Sequence, residues 1–168
     1  MTAPLLLLLR MDNRGKKFEE QFLKDFQRID DAIIIRLHDQ MTGYKVTSQN
    51  LCDYICYMYP NMLAIECKTI KGNTFPISNL TQLPLMRTVV GKKGMRAGVV
   101  IWFYERDKVV YVPIKTFFEL IKDGKKSYNV KWLDDENNTY DAIEIPSIKK
   151  RVYMDSDYTV LQNLEEGW

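Results

Sequence analysis

The chain has 168 residues, enough for one domain with a sizeable hydrophobic core. Hydrophobic residues make up 46% and charged residues 27%, which is typical of a soluble globular domain and not of a disordered chain. The net charge of +2 does not by itself indicate nucleic-acid binding, so a basic surface would have to come from clustering.

The cysteines and the histidine exclude several kinds of site. Cys52, Cys56 and Cys67 are odd in number and lack C-x-x-C spacing, which argues against a disulfide framework or a zinc site and fits a reducing cytoplasm. His38 is the only histidine, so metal motifs that need two histidines are excluded, and we expect it at the end of a strand.

The N-terminal segment contains five consecutive leucines, too few to span a bilayer and with no positive segment before them. We therefore predict neither a signal peptide nor a membrane anchor. Because Met11 is an alternative start, residues 1–10 are interpreted as a leader or disordered N-terminus. Residues 11–168 are then a single domain.

The first half of the chain predicts a helix, a strand and a hairpin. Phe18, Phe22 and Phe26 recur at helical spacing after Asn13, which can cap the helix. A β-branched run then predicts a buried strand, and two apolar runs around a Tyr-Pro-Asn turn predict the hairpin. The predicted bounds are 14–29 for the helix, 32–37 for the strand, 39–50 for a polar, stalk-like connection, and 51–58 and 62–68 for the hairpin.

The second half predicts alternating strands and helices. Pro84 fits the first turn of a short helix, an uninterrupted apolar run predicts a strand buried on both faces, and Gly124 ends an amphipathic helix. The order of elements predicts an α/β fold with a mixed central β-sheet flanked by helices. The predicted bounds are a loop at 69–79, helices at 80–90, 114–122 and 158–164, and strands at 97–104, 109–113 and 140–145.

Asp53, Glu66 and Lys68 form the motif that carries chemistry. Period-two alternation places Glu66 and Lys68 on the same face of one strand, and the hairpin returns Asp53 to their side. Two carboxylates and an ammonium group then converge where a hard divalent cation and a phosphate can both be bound. The motif predicts a metal-dependent nuclease site, with a surface ion pair as the alternative interpretation.

The distribution of charge favours the nuclease interpretation. Between Asp39 and Glu105 the only acidic residues are Asp53 and Glu66. A basic stretch that holds just two carboxylates suits an anionic substrate with a metal at its centre. The basic residues of the interval are Lys45, Lys68, Lys71, Arg87, Lys92, Lys93 and Arg96.

Several sequence blocks follow one another in a specific order. The blocks are Asn13-Arg14-Gly15 with Glu19, Asp53 with Ile65-Glu66-Cys67-Lys68, Thr74-Phe75-Pro76-Ile77 with Asn79, Gln82 with Met86, and Gly94 followed by the strand over residues 97–103. In this order they resemble the RecU-type Holliday junction resolvases, a branch of the PD-(D/E)XK nucleases. The resemblance implies a restriction-endonuclease-like sheet. Members usually carry a long stalk where this chain has only residues 39–50.

The resemblance implies hydrolysis of DNA phosphodiesters with Mg²⁺ or Mn²⁺. Asp53, Glu66 and the backbone carbonyl of Cys67 would bind the metal, and Lys68 would orient or help deprotonate the attacking water. Glu19 is either a further ligand or a glutamate near the positive end of a helix dipole, and both interpretations stay open. Paired nicks across a four-way junction require two active sites, so a homodimer is implied.

Further residues are candidates for DNA contact, with solvated surface positions as the alternative. Arg14 and Lys16 lie near a predicted helix N-terminus, Gln82 could hold water or a phosphate oxygen, and the remaining candidates are basic. The candidates are Arg14, Lys16, Gln82, Lys45, Lys71, Lys92, Lys93 and Arg96, with a weaker argument for Lys149, Lys150 and Arg151.

Three functions remain in competition. The first is a junction-resolving endonuclease acting as a dimer in a bacterial or phage setting. The second is a structure-tolerant or restriction-like nuclease with the same chemistry, which the short connection at 39–50 favours. The third is a non-catalytic protein that binds DNA junctions, which Asp53 and Glu66 disfavour because a binder gains nothing from carboxylates in a phosphate groove.

Overall fold

The computed structural model describes residues 13–38, 40–42 and 45–168, and in 40–42 and 45–48 it describes the backbone alone. The predicted leader at 1–10 and the side chain of Lys45 therefore lie outside the described residues. None of the helices within the described ranges is long and apolar enough to cross a membrane.

A six-stranded sheet forms the centre of the molecule. Its strands are hydrogen-bonded in the order β1-β4-β5-β7-β8-β10, with β5 and β7 parallel and all other neighbours antiparallel. The predicted mixed sheet flanked by helices is therefore confirmed. The strands of the described ranges are β1 (Ile33–Arg36), β2 (Gln40–Thr42), β3 (Lys45–Ser48), β4 (Tyr54–Met58), β5 (Asn61–Ile70), β6 (Thr74–Pro76), β7 (Met95–Phe103), β8 (Lys108–Pro113), β9 (Ser127–Asn129), β10 (Ile143–Ile145), β11 (Ser147–Lys149) and β12 (Met154–Ser156).

Helices and three small ladders surround this sheet. The α-helices of the described residues are α1 (Arg14–Phe26), α2 (Leu83–Met86) and α3 (Ile114–Lys122), and short 3₁₀ helices cover Ile77–Asn79, Arg87–Val89, Val130–Asp134 and Tyr158–Leu161. The two-stranded ladders are β2 with β3, β6 with β9, and β11 with β12.

The sheet separates two hydrophobic cores. On one face, the phenylalanines of α1 pack with Leu63, Ile65 and Cys67 of β5. On the other face, Ala64 shares a core with residues of α2 and α3. Because side chains alternate along a strand, Glu66 and Lys68 lie on the face of Ala64. These two side chains therefore lie on the opposite face of the sheet from α1.

Several local predictions were wrong for identifiable reasons. Asn13 precedes α1, but its side chain makes no capping hydrogen bond, and the helix ends at Phe26 instead of residue 29. The strand predicted as buried is β1, an edge strand whose Ile33 and Ile35 are 57% and 55% exposed. A β-branched run specifies a strand, but it does not specify what covers each face of that strand.

The remaining differences concern short elements. The polar connection at 39–50 contains β2 and β3, and the predicted loop at 69–79 contains β6. The helix predicted at 158–164 is a 3₁₀ turn at Tyr158–Leu161. Strands of three or four residues carry too few alternating positions for a reliable periodic signal.

Gly98 is the position where the sheet tolerates no side chain. A Cβ atom at Gly98 would lie 2.3 Å from the ring of Tyr111, which is fully buried. We expect Gly98→Ala to lower the free energy of unfolding by about 1–3 kcal/mol through overpacking. At Gly15 in α1 the nearest atom is 3.9 Å from the added Cβ, so Gly15→Ala should be neutral or stabilising. Urea unfolding checks both variants, and equal stability of the two would contradict this packing.

Candidate active site

Asp53 lies where the ladder between β4 and β5 ends. The first residue of β4 is Tyr54, paired with Ile65, and the Asp53 N–H donates to the Ile65 carbonyl at 3.1 Å. Beyond this point no strand of the described residues pairs with β5 on the β4 side. The Asp53 Oδ2 there accepts a hydrogen bond from the Cys67 N–H at 2.8 Å. The Asp53 carboxylate thus accepts a hydrogen bond from the Cys67 N–H, a backbone donor that has no partner in the β4–β5 ladder.

The same end of the ladder directs the Cys67 carbonyl. In a strand the N–H and C=O of one residue point to the same neighbouring strand. Since the Cys67 N–H meets Asp53, its carbonyl is directed toward that side as well. A carbonyl oxygen is a suitable ligand for a hard cation that also contacts Asp53.

Glu66 is the most constrained side chain of the site. It is 1% exposed, and its Oε1 contacts the Lys68 Nζ at 2.8 Å, as expected for two residues on one face of β5. Its Oε2 has no hydrogen-bond partner among the described residues. A buried carboxylate oxygen without a donor costs free energy, so its position calls for a cation, a bound water or a proton shared with Asp53.

The pKa values of the two acids are raised by their surroundings. Burial, followed by the charge of Asp53, raises the pKa of Glu66 to about 7, while Lys68 opposes the increase. Burial also raises the pKa of Asp53, against the hydrogen bond from Cys67 and the charge of Lys68. Two carboxylates that are costly to ionise together favour binding of a divalent cation, which removes both costs.

Glu19 reaches the site from α1 but is already paired. Its Oε2 accepts from the Arg36 guanidinium at 2.7 Å, and its backbone carbonyl accepts from the Tyr54 hydroxyl at 2.9 Å. Burial and then Asp53 raise the pKa of Glu19, and Arg36 opposes them. Within the described residues, no group of three or more His, Cys, Asp or Glu side chains could hold a metal ion.

A cleft of about 280 Å³ opens beside Asp53. It contains Gln82, at the start of α2, and His38, which follows the end of β1 as a strand-end histidine. Arg36 also lines it and was not identified from the sequence, where a polar residue ending an apolar run gives no functional signal. The lining residues are Glu19, Arg36, Leu37, His38, Asn50, Cys52, Asp53 and Gln82.

The other DNA-contact candidates occupy three different places. Lys16 is exposed on α1, and Lys71 is exposed just after β5, 3.7 Å from Glu105. Lys92 and Lys93 are exposed at the opposite end of the sheet, because Met95 pairs with Met62, four residues before Glu66.

Arg96 is 5% exposed. Its guanidinium donates to the backbone carbonyls of Leu164 and Met95. Both partners are main-chain groups within the protein, so Arg96 holds the C-terminal segment against β7. It therefore does not belong to the DNA surface that we propose below.

The comparison with protein families identifies the chain. The model of RecU, described as Recombination protein U, matches residues 13–152. The chain belongs to the RecU family. It is therefore a member of a family of Holliday junction resolvases, which are endonucleases, and the resemblance drawn from the sequence is confirmed.

Solved structures include a similar chain. It is the Holliday junction resolvase Hjc of the archaeal hyperthermophile Archaeoglobus fulgidus, at 22% sequence identity and a TM-score of 0.47. The match covers 61% of this RecU-family chain and 78% of the archaeal chain. No curated protein matches.

The raised pKa of Glu66 predicts how stability varies with pH. Between the usual carboxyl value of 4.5 and about 7, the folded state binds more protons than the unfolded state. In EDTA, stability should therefore fall as pH rises through this window, by about 1.4 kcal/mol for each pKa unit. The fall should be smaller in Glu66→Gln, and Mg²⁺ should restore stability at pH 8 in the wild type more than in the variant. Thermal unfolding at pH 5 and pH 8 measures this, and identical profiles for the two proteins would contradict the assignment.

Proposed function

We propose that this chain cuts the phosphodiester backbone of four-way DNA junctions at the site formed by Asp53, Glu66 and Lys68. The observation that carries the proposal is the buried carboxylate of Glu66, beside the partly buried carboxylate of Asp53. Its Oε1 lies 2.8 Å from the Lys68 ammonium group, and its Oε2 has no hydrogen-bond partner among the described residues. Membership of the RecU family supplies the substrate class.

The residues of the site fit a hard divalent cation, Mg²⁺ or Mn²⁺. Asp53 and Glu66 would hold it with the backbone carbonyl of Cys67, since such cations prefer oxygen ligands. When bound, the cation supplies Lewis-acid polarisation of the phosphate and lowers the pKa of a bound water. Glu19 is held by Arg36, so we assign it to a position beside the site, where it can act through water.

Lys68 and Gln82 supply the remaining polar groups. Lys68 is partly exposed while Glu66 is buried, so the ammonium group contacts the carboxylate and remains accessible to a phosphate in solvent. There it can orient the attacking water and offset negative charge that develops on the phosphate. Gln82 lines the cleft and can hold a water or a phosphate oxygen through its amide.

A structure-tolerant nuclease is the second candidate function. The β2–β3 hairpin has strands of only three and four residues, and Gln49, just after it, donates to the Thr81 hydroxyl at 2.8 Å beside Gln82. A hairpin this short offers little surface for recognising the centre of a junction. Competition between a junction and linear duplex separates the two candidates, since the second requires equal cutting of both.

Asp53→Asn tests the catalytic site with the least structural change. The asparagine oxygen can still accept the Cys67 N–H, so the fold should persist, while the charge that would bind the cation is removed. We expect junction cleavage to fall by at least about 10²–10³-fold, the range seen when one preorganised charge-stabilising group is removed. Binding of the junction in EDTA should remain.

The control for this variant is Asp135→Asn, which removes one carboxylate from an exposed loop. It should cleave like the wild type in the same assay. Cleavage by Asp53→Asn at the wild-type rate would remove Asp53 from the site and contradict the proposed chemistry.

We also propose that the open face of β1, β4 and β5 forms an isologous homodimer. Ile33, Tyr57 and Met62 are directly paired across the three strands, and all three are exposed. Ile35 is exposed in the adjacent row. An uncharged apolar patch of this kind is self-complementary, because two copies can meet without charge repulsion.

Ile35→Lys tests the dimer. Two ammonium groups near the centre of the interface should dissociate it and convert paired nicks into single nicks. Ile121→Lys places the same substitution on the exposed side of α3 and should change neither property. Analytical ultracentrifugation and cleavage of a supercoiled cruciform measure the two effects. A dimer that survives Ile35→Lys but dissociates with Ile121→Lys would place the interface elsewhere.

A further inference from the structure

A buried carboxylate of α1 holds the β11–β12 hairpin against the helix. Asp25, in the last turn of α1, accepts the Ser156 N–H at 3.0 Å. Arg28 bridges Asp25 at 3.1 Å and Asp155 at 2.6 Å. These contacts fix β12 against the helix although the two segments are about 130 residues apart in sequence.

Two cavities lie between this hairpin and the first turn of α1. Their volumes are about 260 and 420 Å³, and Arg14, Trp102 and Val152 line both. We call this concavity the hairpin groove. Its lining contains one acidic residue, Asp107, which is paired with Lys149 at 2.7 Å. The basic residues of the hairpin groove are Arg14, Lys17, Lys149, Lys150 and Arg151.

The walls of the hairpin groove suit a phosphate-bearing ligand. The Arg14 guanidinium stacks over the Tyr104 ring at 3.9 Å, an arrangement that leaves its in-plane N–H groups available as donors. The buried indole N–H of Trp102 has no acceptor within the described residues. Val152 and Tyr153 are exposed at the tip of the hairpin, where they add apolar surface.

The hairpin groove lies next to the end of β5 that carries Lys68. A Cβ at Gly15 would lie 3.9 Å from the Thr69 hydroxyl oxygen, and Thr69 pairs with Trp102 across the parallel β5–β7 ladder. Thr69 directly follows Lys68. The two residues point to opposite faces of the sheet, so a DNA arm that leaves Lys68 and passes the end of β5 meets the basic surface beside α1.

We propose that the hairpin groove binds the phosphate backbone of a DNA arm outside the cleavage site. The proposal rests on the proposed function in one respect, that the ligand of the chain is DNA. Duplex DNA carries a phosphate about every 3.4 Å along each strand, so basic residues on two segments can reach several phosphates of one arm. These interactions carry no base specificity and set the orientation of the arm relative to Lys68.

A triple variant of the hairpin tip tests the proposal. Lys149, Lys150 and Arg151 are exposed, and we would replace all three with glutamine. Junction binding is measured in EDTA at several salt concentrations, so the result does not depend on cleavage. We expect the slope of log affinity against log salt to decrease by about 2 to 3, close to 0.9 for each phosphate that the variant no longer neutralises. Binding at low salt should be at least about tenfold weaker.

The matched control replaces Lys24, Lys122 and Lys126, which are exposed on other parts of the surface, with glutamine. It changes net charge by the same amount and should keep the wild-type slope. An unchanged slope in the hairpin variant overturns the proposal. An equal decrease in both variants also overturns it, because the effect would then come from net charge alone.

Shortening the junction arms gives a second, independent test. When the arms no longer reach the hairpin groove, the wild type should bind more weakly and become equal to the hairpin variant. A constant ratio between the two proteins at every arm length would contradict the proposed binding surface. Absence of metal-dependent cleavage would overturn the proposed function without changing either binding result.

Discussion

The burial of Glu66 beside Asp53 is the constraint on which the site depends. Placing one carboxylate out of solvent beside a second, partly buried one is unfavourable, and the raised pKa values of both express that cost. Lys68 and the Cys67 N–H offset it only in part, since one oxygen of Glu66 has no partner among the described residues. A divalent cation is the group that would complete this arrangement. The site is therefore less stable without a ligand than with one, as functional sites commonly are.

The sheet explains how this constraint is met. The β4–β5 ladder ends at Tyr54, so the next backbone donor on β5 is free to fix a carboxylate. Parallel pairing of β5 with β7 fixes the rest of β5 and brings Trp102 beside Thr69. On one side of the sheet α1 carries Glu19 and contributes Arg14 and Lys17 to the hairpin groove. At the β1 edge, the open rows of β1, β4 and β5 form the apolar face that we propose for a second copy.

The sequence predicted the centre of the molecule better than its surface. Alternation along β5 was sufficient to predict that Glu66 and Lys68 lie side by side. The Tyr-Pro-Asn turn was sufficient to predict that β4 and β5 form a hairpin. Arg96 belongs to a basic cluster in sequence, yet the C-terminal segment buries it, and local pattern contains no information on such a distant partner. The same limit applies to the open face of β1, which exists because no element covers it. It also applies to the hairpin groove, which exists because α1 and the β11–β12 hairpin meet in the fold. Motif order, in contrast, identified the family because it samples many distant positions at once.

The most direct measurement is strand-resolved cleavage of a four-way junction in which each strand carries its own label. With Mg²⁺, the account predicts paired nicks at symmetric positions on two opposing strands, little cutting of linear duplex, and no products in EDTA. Cleavage that persists in EDTA, or an intact junction in Mg²⁺ despite tight binding, would contradict the claim that the Asp53–Glu66 pair forms a metal-dependent junction-cutting site.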